Sequence, residues 1–217
     1  DNSTVVMQGG DLEFHADGYR ADSESFISFL SGAVDQLHVS ASGNCADTSV
    51  RLIVDDLQVS DIVVEATNQY STASLDLVNM TVLEVTDDVT VNASGSDSSA
   101  ELHVGGLDMA GGDIRILADG WEGDSWTTIG GLTGNVNTLL VQADGWWSSA
   151  VASLDAVTAN ITSIEVFAGG RDATASLDMT FDGTYAGDLN VTAASNDAWA
   201  RLDMGVDEVP ERETQYY

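Results

Sequence analysis

Apolar and polar residues alternate along this chain in short bursts, and the bursts recur at a fixed interval. IEVFAGGRDATASLDM (residues 164–179) and LNVTAASNDAWARLDM (residues 189–204) share one pattern: alternating apolar positions ending on alanine, a turn, then Ala-x-Leu-Asp-Met. Anchored on that alanine, the copies fall at Ala16, Ala41, Ala66, Ala93, Ala118, Ala143, Ala168 and Ala193. They are 25 residues apart, except for 27 between the third and fourth. Self-similarity at such an interval marks a repeat architecture, and eight copies account for nearly the whole chain.

With each alanine as position 0, position −4 holds Leu12, Leu37, Ile62, Val89, Ile114, Leu139, Ile164 and Leu189. Position −2 runs from Phe14 through Val39 to Val191, always apolar, with mostly polar residues between. Positions −4, −2 and 0 therefore form the inward face of a strand with period two. Position +2 is glycine in six copies, with Asn68 and Ser195 in the others, which reads as a turn needing Gly or Asn geometry. Positions +5 and +7 are small throughout. Position +11 is apolar: Ile27, Leu52, Leu77, Val104, Ile129, Leu154, Met179 and Met204. A second strand from about +5 to +11 follows.

Two short strands per repeat, with no helical periodicity, predict an all-β chain. The expected form is a parallel β-solenoid of about eight 25-residue coils, with two main strands per coil plus a return arc. Equivalent positions would stack ~4.8 Å apart, giving a rod of roughly 38 Å. The small residues at +5 and +7, opposite Val, Ile and Leu, predict two sheets facing across a thin dry core, like a steric zipper. The arc carries an apolar residue at +14 in several copies (Leu30, Met80, Leu107, Leu132, Val157), so it is either a third short side or a connection. The two extra residues of the third coil are expected to bulge there. Residues 1–10 read as a half-coil or docking segment, 11–204 as the solenoid and 205–217 as a tail.

Composition narrows the setting. A hydrophobic fraction of 43% with five Trp argues for a folded core. Six Arg, no Lys and 36 acidic residues give a formal charge of −30. That field repels phosphates and anionic headgroups, so neither nucleic acid nor membrane insertion is expected, and it favours cations and high salt. A single cysteine, Cys45, excludes an internal disulfide framework. No apolar run approaches the ~18 residues of a membrane span. The opening DNSTVV has neither a basic nor an apolar leader region, so either no signal peptide exists or it has been removed. The Asp/Ser/Thr/Gly-rich composition favours the second case, an extracellular or cell-surface chain.

The frame over residues 11–204 resembles the curlin repeat, the unit of bacterial curli fibres. That repeat has Ser, then Gln six later, Gly two after the Gln, Asn and Ala at five and seven, and a second Gln at eleven. Here the Gly position matches in six of eight copies and the Ala position matches closely from Ala73 onward. The Gln positions hold the anchor alanines and the apolar +11 residues, and small residues replace Asn. The resemblance implies an extracellular functional amyloid with biofilm or attachment roles. It implies subunits stacked end to end, and a nucleator or secretion-pore protein as a partner beyond the chain itself.

A solenoid without caps exposes unpaired strand edges at both ends, and a head-to-tail contact between such ends yields a filament. Residues 1–10 align with the arc of a coil preceding the first, and Pro210 cannot donate to a ladder. One subunit's N-terminal arc completing the next subunit's last coil is the expected junction; frayed monomeric rods are the alternative.

Among surface columns, Asp11, Asp61, Asp88, Asp113 and Asp188 share position −5, and Asp178 and Asp203 share +10. Stacked like charges repel. A bridging divalent cation, Ca2+ by its oxygen preference, would relieve Asp61, Asp88, Asp113, Asp178 and Asp203; salt screening would do the same without a cofactor. Glu13, His15 and His38 fall together on the first two coils, as a metal set or as a chance meeting. Position +3 holds Tyr19, Trp121, Trp146 and Arg171, an aromatic column ending in a cation–π contact. It serves structural stacking, a lateral fibre contact, or a strip that binds carbohydrate, as in an adhesin. An ice-binding array would need a uniform outward Thr or Asn column, which is lacking. Asn2, Asn79, Asn92, Asn160 and Asn190 begin glycosylation sequons. No Ser–His–Asp spacing, phosphate loop or CxxC supports catalysis, so no enzyme activity is expected.

Overall fold

The computed structural model describes residues 5–79, 83–182, 185 and 187–206. Asn2, Met80, Pro210 and nearly all of the 205–217 tail lie outside the described residues, as does the side chain of Asn79.

The fold is a parallel β-solenoid of eight coils, and no helix occurs among the described residues. One sheet stacks the strands that end on the anchor alanines: Leu12–Ala16, the last part of Asp22–Ala41 and of Asp47–Ala66, Val89–Ala93, Asp113–Ala118, the end of Leu132–Ala143, Asn160–Ala168 and Asp188–Ala193. Each alanine pairs with the next, from Ala16 beside Ala41 to Ala168 beside Ala193. The second sheet stacks the +6 to +11 strands, and Ile27, Leu52, Leu77, Val104, Ile129, Leu154, Met179 and Met204 form one continuous column there. Strict period-two alternation puts these positions inside: Ala41 through Ala168 and Leu52 through Met179 are buried.

The arc is a third, shorter parallel ladder. Leu83–Val85 pairs with Leu107–Met109, which pairs with Leu132–Gly134, and Val5–Gln8 occupies the same side against Leu30–Ala33. Residues 5–8 thus supply the arc beneath the first coil. The long third coil absorbs its two extra residues in two steps. Val54 pairs with Asn79, Val59 with Val85 and Ile62 with Val89, so the offset grows from 25 to 26 to 27.

The turn at +2 to +5 differs from expectation in one respect. Its left-handed residue is not the glycine at +2 but the side-chain-bearing residue at +4: Arg20, Cys45, Tyr70, Asp97, Glu122, Trp147, Asp172 and Asp197 have φ between 52° and 57°. At Gly43, Gly95, Gly120, Gly145 and Gly170 the glycine at +2 answers a steric demand between coils. A Cβ on Gly145 would lie 1.9 Å from the carbonyl oxygen of Gly120, and one on Gly120 would lie 1.9 Å from that of Gly95. Within each stack the +4 N–H donates to the +3 carbonyl of the next coil, as Trp147 N does to Arg171 O at 2.9 Å. Serines in the small +5 column close the turn, for the Ser98 and Ser148 hydroxyls donate to the +2 carbonyls at 2.8 and 2.7 Å.

Candidate functional site

Three features stand out from the repeating frame: the last coil, the aromatic cluster and the charged outer face of the first sheet. Leu189 and Val191 of the eighth coil are 53% and 43% exposed, whereas Ile164 and Val166, one coil back in the same columns, are 0% and 1% exposed. Ala193 is exposed as well, and Met204 half-buried. At the other end Leu12, Phe14 and Ile27 are only partly covered. Core columns that are dry from the second coil to the seventh are therefore exposed or only partly covered in the first and last described coils.

The +3 column divides. Trp121 and Trp146 stack with ring centroids 5.3 Å apart, and the Arg171 guanidinium sits 5.9 Å from the Trp146 ring centroid. Tyr19 is separated from Trp121 by the coils carrying Asn44, Gln69 and Ser96, and meets its neighbour Arg20, 5.2 Å from its ring. The column adds a member missed in sequence: Trp147, at the left-handed +4 position, turns its ring to within 5.1 Å of Trp121 and 6.2 Å of Trp146. The doublet GWW was the available signal, since the left-handed geometry at +4 brings two consecutive indoles to one side. All three remain nearly half exposed.

The −5 aspartates have protein partners. Asp61 accepts the Asp88 N–H at 3.2 Å, Asp88 accepts the Asp113 N–H at 2.8 Å, and Asp113 accepts the Thr138 N–H at 3.1 Å. Each carboxylate thus tethers the coil above it. Arg115 then bridges two of them, at 2.6 Å to Asp88 and in a further close contact with Asp113. Burial pushes the Asp88 carboxyl up, but its bond to the Asp113 N–H and the Arg115 guanidinium outweigh this and hold it below the ordinary value. Arg115, two residues along the strand from Asp113, is the counter-charge that reading the column alone overlooked. Asp178 pairs in register with Asp203, and Arg201 lies 2.6 Å from Asp203. Asp11 and Asp188 sit exposed at the two ends of the −5 column.

Glu13, His15 and His38 do converge, and a fourth residue, Glu65, joins them: His15 Nε2 lies 3.2 Å from Glu13 and His38 Nε2 lies 3.0 Å from Glu65. Cys45 occupies its turn half-buried, with Sγ 3.2 Å from the Asn44 side-chain oxygen. Of the sequons, Asn160 and Asn190 are exposed, whereas the Oδ1 of Asn92 is buried without a hydrogen-bond partner. Among the described residues, one groove on the outer face of the second sheet is lined by Glu24, Phe26, Arg51, Asp76, Glu101 and His103.

Compared with protein-family models, with curated proteins and with solved structures, the chain matches none of them. The functional reading therefore rests on geometry.

Proposed function

We propose that this chain is the structural subunit of an extracellular, curli-like fibre, polymerising by head-to-tail stacking of its solenoid ends. The observation that carries the reading is the eighth coil, whose Leu189 and Val191 are exposed in columns that are dry from the second coil to the seventh. The occupant that fits is the first coil of a second copy. Continuing the columns across a junction sets Leu189 on Leu12, Val191 on Phe14 and Met204 on Ile27. At position +8 it sets Arg201 beside Glu24, an opposite-charge contact in a chain with very few cations. Such a contact does not close on itself, so it propagates.

Negative-stain microscopy of the desalted chain, incubated in 150 mM NaCl with and without Ca2+, tests this. Thin unbranched fibres are expected. Arg201→Glu should suppress them, and adding Glu24→Arg should restore them, because neither position has the other as a partner within one rod. Fibres only with Ca2+ would make the Asp columns functional sites; monodisperse rods throughout would retire the fibre.

A second reading, an adhesin segment binding carbohydrate, draws support from the exposed Trp121–Trp146–Trp147 cluster, since packed aromatic faces beside Arg171 suit flat hydroxylated ligands. Glycan binding that disappears in Trp146→Ala, with unpolymerised rods, would put it first.

A further inference from the structure

We propose that Glu13, His15 and His38 form a binding site for a first-row transition cation of the Zn2+ class, with Glu65 as the residue that positions His38. The site is built by the parallel register. Glu13 pairs with His38 and His15 with Ser40 across the first two coils, so positions −3 and −1 of both meet on the outer face of the first sheet. One ligand atom from each of Glu13, His15 and His38 lies within 4.8 Å of the other two. The two imidazoles stand edge to face, 5.2 Å between centroids.

The surrounding bonds select the ligating atoms. Ser40, 5% exposed, engages His15 Nδ1 through its hydroxyl at 2.6 Å, which presents Nε2 toward Glu13. Glu65, from the third coil, engages His38 Nε2 at 3.0 Å, which leaves Nδ1 as its ligand. A carboxylate holding the far nitrogen of a ligating imidazole is the arrangement that fixes tautomer and ring orientation at metal sites. Two imidazole nitrogens and one carboxylate oxygen suit Zn2+, with water in the fourth position, and do not suit Ca2+, which prefers an all-oxygen shell. Two of the chain's three histidines meet here, in a field of −30 that concentrates cations. A bound ion would staple the first coil to the second at the end where the core columns begin to emerge. This inference is independent of fibre formation.

Isothermal titration with ZnCl2 in 150 mM NaCl and 5 mM CaCl2, with Ca2+ occupying oxygen-only sites, provides the test. One Zn2+ per chain should bind, with a rise in melting temperature. His15→Ala and His38→Ala should each weaken binding at least tenfold, and Glu65→Gln should weaken it several-fold while keeping the stoichiometry. No saturable binding would overturn the proposal, and so would binding unchanged in both histidine variants, which would place the ion on the carboxylate columns. Circular dichroism of the variants, which lie on the solvent face, checks that the rods remain folded.

Discussion

Lowering the ionic strength should loosen this rod, by an amount its charge spacing sets. Between residues 5 and 206 lie 31 acidic side chains and five arginines, an excess of 26 negative charges. Spread over eight coils at ~4.8 Å, that is one charge per ~1.5 Å of axis, denser than the ~1.7 Å of duplex DNA. Register places several like charges on adjacent coils. Asp22 lies beside Asp47, Glu84 beside Asp108 and Asp178 beside Asp203, while Asp119 feels Asp144. A like pair roughly 6 Å apart costs about 0.7 kcal/mol in unscreened water. With Debye lengths of ~30 Å at 10 mM and ~3 Å at 1 M salt, the cost falls from about 0.6 to about 0.1 kcal/mol. Four pairs therefore return about 2 kcal/mol across that range, or roughly 4–8 °C in melting temperature for a chain of this size. Thermal melts followed by circular dichroism at pH 7.5, from 10 mM to 1 M NaCl, measure it. A flat or falling melting temperature refutes the reasoning. A rise that continues undiminished into several molar salt also does, since it marks solvent exclusion rather than screening.

Gly145→Ala must push coils apart against the Gly120 carbonyl, and should cost about 3 kcal/mol or more in denaturant unfolding; a loss under ~1 kcal/mol would show that the turn stack gives way easily. Thr127 is fully buried with its hydroxyl unpartnered in the +9 column, so Thr127→Val should stabilise by about 1–2 kcal/mol in the same assay. Stability should also rise on mild acidification. Burial, then the charge of Asp144 on Asp119 and of Glu122 on Asp124, push both carboxyls above the ordinary value, so the native state binds their protons before the unfolded chain does. The melting temperature should climb as pH falls from 7 through those raised values. It should then drop as Asp88, held low, is protonated in its turn. Asp119→Asn should blunt the climb, and a wild-type curve that falls steadily from pH 7 would contradict the assignment.

The frame of this fold was legible because one rule, period-two burial in register, acts on every coil alike. Ala16 to Ala193 and Ile27 to Met204 could be placed in columns from spacing alone, and the structure pairs them along the whole rod. What lay beyond reading was set by contacts between coils at different positions. The glycines at +2 look like turn residues along the chain, but their need arises from the carbonyl stacked below, while Trp147 and Glu122 take the left-handed role at +4. Arg115 bridges two coils diagonally, so the Asp88–Asp113 column seen in isolation looks uncompensated. Glu65 reaches His38 in the same diagonal way. Column arithmetic finds residues that stack directly, and diagonal partners require side-chain reach.

The same columns that make the rod regular set up a contest at its ends. On the fibre reading, each added copy would extend the apolar columns by one buried junction, through Leu189, Val191 and Met204, and that gain would be fixed and local. Each copy would also bring an excess of 26 negative charges into line with those already present, a cost that reaches over a Debye length and shrinks with salt. At 10 mM salt that reach is ~30 Å, most of a rod, so neighbouring copies repel along nearly their whole length; at 150 mM it is ~8 Å, barely two coils. On the fibre reading, end-to-end growth should therefore be switched by ionic strength at constant protein concentration, with a steep dependence between these limits. Lateral bundling, which would bring full lengths of two such rods together without any exposed core column to bury, should stay suppressed throughout.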